Sequence, residues 1–286
     1  MSKHLTIFEM GPRDGLQNEK VHIPTADKIA LVNLLTDAGF QKIETASFVS
    51  PKWVPQMADG ADVLAGISRK PGTKYTALTP NMKGYERAKT ANADEVAIFG
   101  SASEGFSQAN INCSIAESID RFKPIVEAAK VDGIPVRGYV SCIIACPYDG
   151  PTDPEQVIAT SQMLLDLGCY EVSLGDTIGA GTPENTKRLL DAMTKVIPAD
   201  KLAGHFHDTH NTALANIETA ISYGVTTFDA AVGGLGGCPY APGAKGNVNT
   251  LEVAQLAERL GFETGLELAK VEEAQKFILD LKQVLA

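Results

Sequence analysis

Basic residues are in short supply. Lys and Arg number 25 against 35 Asp and Glu, a formal net charge of −10. A surplus of that sign disfavours generic binding to nucleic acid or to anionic membrane surfaces. It leaves room for a phosphorylated ligand, which a few local cations and helix N-termini can hold. Cysteine is sparse and odd in number. Cys113, Cys142, Cys146, Cys169 and Cys238 make no paired framework, which points to a reducing compartment rather than a disulfide scaffold. Cys142 and Cys146 are one residue too far apart for a CxxC redox pair, and there is no second pair for a zinc ribbon. The first four cysteines read as small buried apolar residues. Long apolar runs are missing, so no stretch suits a bilayer span. The opening MSKHLTIFEM shows no charged start followed by an apolar core, and the closing LKQVLA has no lipidation or peroxisomal pattern. The expectation is a cytoplasmic protein without a membrane partner.

What is present is a regular alternation. Short runs rich in Val, Ile, Thr, Tyr and Phe, bounded by Gly, Pro, Asn or Asp, occur at 4–9, 42–47, 74–79, 94–99, 135–141, 170–175, 202–207 and 226–232. Those features mark strands. Amphipathic segments fill the gaps at 25–38, 59–68, 81–91, 114–132, 154–167, 183–196, 211–223 and 249–260. Thr25 is the expected cap of the first of these and Gly39 its stop, while Asp153–Pro154 and Thr182–Pro183 look like helix starts with proline in the first turn. Eight strands alternating with eight helices predict an α/β fold, a closed parallel (β/α)₈ TIM barrel. An extra C-terminal helix over about 267–284 is expected to pack outside it or against a partner subunit. No linker divides the 286 residues, a length that suits one domain, 1–286.

In such barrels chemistry gathers at the C-terminal ends of the strands. Arg13 and Asp14 follow the first strand, Glu44 and Ser47 end the second, and Ser173 and Asp176 end the sixth. His205 and His207 end the seventh, and Asn247 follows the eighth. Two histidines two positions apart on a strand point to the same face, with Phe206 turned the other way into the helix layer. Paired imidazoles inside a barrel need partners, and protonating both would set like charges together. With Asp14 and Asn247 they form a mixed N/O donor set suited to Mg²⁺ or Mn²⁺, with zinc or cobalt also compatible. Four protein ligands on a six-coordinate ion leave two positions for a chelating, oxygen-rich ligand. The glycine-rich stretch 233–246 is too long for a tight turn and reads as a loop over this rim, carrying Cys238.

The segments GPRDGLQNEK, IETASFVSPKWVPQMAD, NINCS, RGYVSC, CPYDG, SLGDTIGAGTP, HFHDT and GLGGCPYAPGAKGN, in that order, resemble those of the 3-hydroxy-3-methylglutaryl-CoA lyase family. The resemblance spans nearly the whole chain, and GLGGCPYAPGA combined with the RD and HxH motifs is highly specific. It implies a pyruvate-carboxyltransferase-like TIM-barrel catalytic domain cleaving 3-hydroxy-3-methylglutaryl-CoA to acetyl-CoA and acetoacetate, with metal ligands Asp14, His205, His207 and Asn247. It further implies that Arg13 meets the substrate carbonyl, that Cys238 sits on the lid, and that Glu44 and Asp176 belong to the active site. Gln17, Lys20 and Asn110 fall where the family contacts metal-shell water or the CoA thioester, and Ser47 and Ser173 are candidate substrate contacts. Arg13 can alternatively form a structural salt bridge with a neighbouring acid. Asp14 or Glu44 can receive the hydroxyl proton, and His205 or Cys238 can return one to carbon. Family members act in leucine breakdown and ketone-body supply, and a homo-oligomer, dimer or higher, is expected. The alternatives are a lyase for longer 3-hydroxy-glutaryl-CoA analogues, a condensing barrel such as an isopropylmalate or homocitrate synthase, and a non-catalytic acyl-CoA-binding barrel. The condensing barrels usually carry an extra C-terminal region and lack GLGGCPYAPGA.

Overall fold

The computed structural model describes residues 3–236 and 246–285. Eight strands close a parallel barrel in simple chain order: β1 Thr6–Glu9, β2 Lys42–Ser47, β3 Lys74–Leu78, β4 Glu95–Ser101, β5 Val136–Ser141, β6 Val172–Asp176, β7 Leu202–Phe206 and β8 Thr227–Ala230. The last strand returns to the first, with Phe228 opposite Ile7 and Asp229 opposite Phe8. Each expected strand is found within a few residues of its place.

Helices wrap this barrel: α1 Thr25–Asp37, α2 Gly60–Gly66, α3 Met82–Thr90, α4 Glu104–Ile111, α5 Ile115–Asp132, α6 Pro154–Leu167, α7 Pro183–Met193, α8 Ala213–Ser222, α9 Thr250–Arg259 and α10 Leu268–Leu285. Local chemistry explains several boundaries. Ser114 and Glu117 form a reciprocal capping box at the start of α5, and Thr182 accepts from the Asn185 amide at the start of α7, each satisfying amides that the first turn leaves open. Pro154 and Pro183 stand in the first turns, as expected. Thr25 does not cap α1. It is already helical, follows Pro24, and its hydroxyl donates to Asp59 instead. Gly39 does end that helix, at φ +98°, where a Cβ is disfavoured.

The outward faces of the strands and the inward faces of the helices make one apolar sheath, including Leu31, Val32 and Leu35 of α1, Ile217 of α8 and Phe228 of β8. Helix α10 covers α1 and α9, burying Val271, Ala274 and Ile278. It therefore closes its own chain's barrel wall. A short parallel ladder of Lys3–His4 with Phe262–Glu263 ties the chain start to the same region. Among the described residues no helix is long and apolar enough to cross a membrane.

Candidate active site

The first loop sets the site. After β1 the chain makes a wide turn, in which the Gly15 amide donates to the Met10 carbonyl five residues back. This turn, Gly11–Gly15, carries Arg13 and Asp14 over the barrel mouth. Glycine leaves room for a close approach at its start. The Gly11 amide donates to Glu9 Oε1 at 2.8 Å, and a Cβ there would lie 2.6 Å from that same oxygen.

Inward-facing positions of the other strands complete the floor. His205 of β7 and His207 just beyond it share a face, with Nε2 to Nε2 at 3.3 Å. Phe206 packs in the apolar sheath, as the strand period predicts. An antiparallel bridge seats Asn247 beside His207. The Asn247 amide nitrogen reaches Asp14 Oδ2 at 2.8 Å and the Leu235 carbonyl at 3.1 Å, which commits both of its hydrogens. Ligand atoms of Asp14, His205 and His207 all lie within 4.8 Å of one another. Adjacent ligands of an octahedral ion with bonds of about 2.1 Å stand about 3 Å apart, so the histidine pair fits such an edge.

The electrostatics agree with that donor set. Burial, reinforced by His205, pushes the His207 imidazole down to about 4, so it is neutral near pH 7. Against the pull of burial, the hydrogen bond and charge of Asp229 raise His205. Burial also opposes ionisation of Asp14, yet Arg13, His205 and His207 together hold its carboxyl below the usual range. The result is a carboxylate and a neutral imidazole facing a common point.

Arg13 is both an ion-pair member and part of the cavity wall. Its Nε pairs with Glu44 Oε2 and its Nη1 with Asp14 Oδ1 at 2.6 Å. The salt bridge and the cavity-facing position coexist. Glu44 is fully enclosed. Arg13 occupies one carboxylate oxygen, and Tyr139 Oη donates to the other at 3.1 Å.

A cavity of about 730 Å³ opens above these groups. Its walls include Arg13, Asp14, Gln17, Asn110, His205 and His207, and also Asn18, Trp53, Phe106 and Tyr139. Other expected site residues stand elsewhere. Lys20 is exposed and does not line the cavity. Ser47 is buried at the β2 end and does not line the cavity, and Ser173 donates to Asp229 Oδ2 at 2.7 Å inside the barrel. Asp176 faces away from the cavity and accepts the amides of Ala180 and Gly181 at 3.0 and 2.7 Å. Burial pushes its carboxyl up to about 6 despite those amides. It shapes the loop after β6. Cys238 lies outside the described residues. The other four cysteines are free and buried, as expected.

Sequence reasoning passed over Arg137, Tyr139 and Asp229. Their signal was present, because Arg137 and Tyr139 are spaced to share the inner face of β5 and Asp229 sits mid-strand in β8. A charge at such a position has to be paired.

An Asp14–His205–His207 cluster that could hold a metal ion at the C-terminal rim of a closed (β/α)₈ barrel, with a guanidinium beside it, defines the class. The particular family follows from comparison. Residues 4–278 match the HMGL-like family model, and the chain belongs to that family. A Pseudomonas aeruginosa protein named 3-hydroxy-3-isohexenylglutaryl-CoA/hydroxy-methylglutaryl-CoA lyase is 53% identical over 274 residues, covering 96% of this chain and 91% of that protein. The crystal structure of the HMG-CoA lyase from Brucella melitensis superposes with a TM-score of 0.97 at 57% identity, covering 99% of this chain and 100% of that one. An HMG-CoA lyase from Acinetobacter baumannii in complex with coenzyme A and 3-methylmalate gives 0.92 at 38% identity, over 98% of this chain and 92% of that one. Relatives include cytoplasmic and mitochondrial forms, so membership does not specify a compartment.

Proposed function

We propose that this chain is a divalent-metal-dependent carbon–carbon lyase that cleaves 3-hydroxy-3-methylglutaryl-CoA to acetyl-CoA and acetoacetate. The observation that carries this reading is the convergence, on one cavity, of the Asp14–His205–His207 donor set with the Arg13 guanidinium, in a chain of this family. The Acinetobacter baumannii relative, crystallised with coenzyme A, supports an acyl-CoA ligand for the same cavity.

Asp14, His205, His207 and Asn247 would hold the ion, Asn247 through its amide oxygen because both of its hydrogens are already donated. Mg²⁺ or Mn²⁺ suits this mixed set of oxygen and imidazole donors. When bound, the ion supplies Lewis acidity toward the tertiary hydroxyl of the substrate. In the reaction that hydroxyl loses its proton, the C2–C3 bond breaks, and its electron pair passes to C2 as a thioester enolate. C3 becomes the ketone of acetoacetate, and a proton added at C2 completes acetyl-CoA. Arg13, fixed between Glu44 and Asp14, is placed to meet the thioester oxygen where negative charge gathers. Preorganised donors of that kind typically contribute about 10²–10³ in rate. Glu44 holds Arg13 through one oxygen and accepts from Tyr139 with the other. Asp14 or Glu44 takes the hydroxyl proton, and His205 or Cys238 returns one to carbon. Gln17 and Asn110 also line the cavity and suit contact with metal-shell water or the acyl-CoA ligand.

Incubation of the Mg²⁺- or Mn²⁺-loaded protein with 3-hydroxy-3-methylglutaryl-CoA should yield acetoacetate and acetyl-CoA in equal amounts. No product with either ion would overturn the reading. A second substrate is favoured by one finding, the name of the Pseudomonas aeruginosa relative, which includes the isohexenyl analogue. Comparing kcat/KM for the methyl and isohexenyl substrates decides between a narrow and a broad specificity.

A further inference from the structure

Below the site, the barrel interior holds a buried guanidinium with no direct place in the mechanism above. Arg137, on β5, is 1% exposed and lies over the Phe8 ring, 4.2 Å from its centroid. Its Nε donates to Glu171 Oε1 at 2.8 Å, which anchors it toward the closed end of the barrel. Its Nη1 serves two directions. It stands 2.8 Å from Asp229 Oδ1 and donates to Tyr139 Oη at 3.2 Å.

Each direction continues to a different half of the site. Asp229 Oδ2 meets His205 Nδ1 at 3.1 Å and also accepts from Ser173 Oγ. A carboxylate on Nδ1 fixes the hydrogen there and leaves the Nε2 lone pair for the ion, a partner relation whose loss typically costs about 10–100-fold in metal affinity. Tyr139 Oη, oriented by accepting from Arg137, donates to Glu44 Oε1, and Glu44 holds Arg13. One path therefore ends on a metal-facing imidazole and the other on the guanidinium that faces the thioester oxygen.

We propose that Arg137 is a positioning residue that sets the two halves of the site in register, orienting His205 through Asp229 and Arg13 through Tyr139 and Glu44. The inference rests on the lyase reading above. A guanidinium suits the task because its separate nitrogens reach Glu171, Tyr139 and the Asp229 carboxylate from one rigid group, which the single point of a lysine ammonium matches poorly.

The test measures Mn²⁺ binding to the substrate-free protein by electron paramagnetic resonance, then kcat and KM at saturating Mn²⁺. Wild type, Asp229→Asn, Tyr139→Phe and Arg137→Lys are compared, with circular dichroism reporting the fold. Asp229→Asn should weaken Mn²⁺ binding about 10–100-fold. Tyr139→Phe should leave Mn²⁺ binding within about twofold of wild type yet lower kcat about tenfold with little change in KM, as loss of an interaction felt in the transition state does. Arg137→Lys should show both defects in a folded barrel. If it fails to fold, the split between the other two variants still decides. Wild-type Mn²⁺ affinity in Asp229→Asn, or wild-type kcat in Tyr139→Phe, overturns the inference alone. Absence of Mn²⁺ binding by wild type overturns the metal reading and the inference together.

Discussion

The layer between strands and helices and the space inside the barrel are both buried, yet opposite chemistries fill them. The outer layer is a continuous sheath of aliphatic and aromatic side chains. The inner space holds one small apolar group, Phe8, Met10, Leu78, Ala97 and Tyr139. Around it stand Lys42 paired with Glu95, Arg137 with Glu171 and Asp229, and Arg13 with Glu44. A buried Leu, Val, Ile or Phe contributes roughly 1.5–3 kcal/mol to folding. A buried ion pair roughly breaks even with an apolar replacement, while losing one partner costs about 3–5 kcal/mol. The sheath thus carries the stability. The interior uses paired charges that add little net stability but fix directions, and its uppermost members are the site.

If that division holds, substitutions inside should act on activity and substitutions outside on stability. The largest effect is expected at His207. His207→Ala removes a neutral imidazole from the donor set and should abolish metal-dependent cleavage, with circular dichroism and melting close to wild type. Normal Mn²⁺ affinity and turnover in that variant would remove His207 from the metal site. Arg13→Lys comes next. It keeps a charge beside Glu44, so the barrel should fold, but it loses the fork that serves Glu44 and Asp14 together. Steady-state kinetics at saturating Mn²⁺ should show kcat down about 10²–10³-fold. A change confined to KM would assign Arg13 to ground-state binding instead.

The same contrast explains what could be read from residues alone. The sheath announces itself, because apolar runs mark the strands and several helices, α3, α7 and α9 among them, present a periodic apolar face, and the eight strands fall near their expected places. The histidine pair was legible for a related reason, since a two-residue period on a strand fixes a shared face. The wide turn at Gly11–Gly15 was not, because its pattern depends on Glu9 reaching forward to amides that no local periodicity marks. Helix α4, which brings Asn110 to the cavity, is short, and its Ser103 cap accepts from the Phe106 amide. Such a segment carries too few turns for a period to emerge. Asp176 was misleading in the opposite sense. A carboxylate at a strand's C-terminal end suggests chemistry, but its side chain falls on the outward face, where loop amides claim it. Lys20 was implied by the family resemblance and Ser47 by its place at the end of β2, and neither determines the direction of a side chain.

A probe of the sheath should invert the pattern seen inside. Leu35 of α1 is fully buried in the apolar layer. Leu35→Ala should cost about 2–5 kcal/mol in urea or thermal unfolding through lost burial and the cavity left behind. Activity per folded molecule should stay at the wild-type value. A tenfold loss of kcat in the folded fraction would mean that sheath packing also sets site geometry, and the division drawn above would fail.

Glu9 tests the boundary between the two regions, because it is a charged group on the sheath side. It is fully buried, and its oxygens accept from the amides of Gly11 and Val232 and from the Thr250 hydroxyl, tying the loops after β1 and β8 to α9. Burial pushes its carboxyl up from 4.5 to about 7, against the pull of those three donors. A carboxyl that holds its proton more tightly folded than unfolded stabilises the fold while protonated. That contribution is complete below about pH 4.5 and is lost as pH rises through about 7. Glutamine can replace it in place, with its carbonyl oxygen accepting both amides and its NH₂ donating to the Thr250 oxygen. The Glu9→Gln protein should therefore match wild type near pH 5 and exceed it by about 1–3 kcal/mol near pH 8. Urea unfolding of both metal-free proteins across that range gives the difference directly, and titrations common to the two cancel. A constant difference from pH 5 to pH 8 would show that Glu9 is ionised throughout and that its three donors outweigh burial.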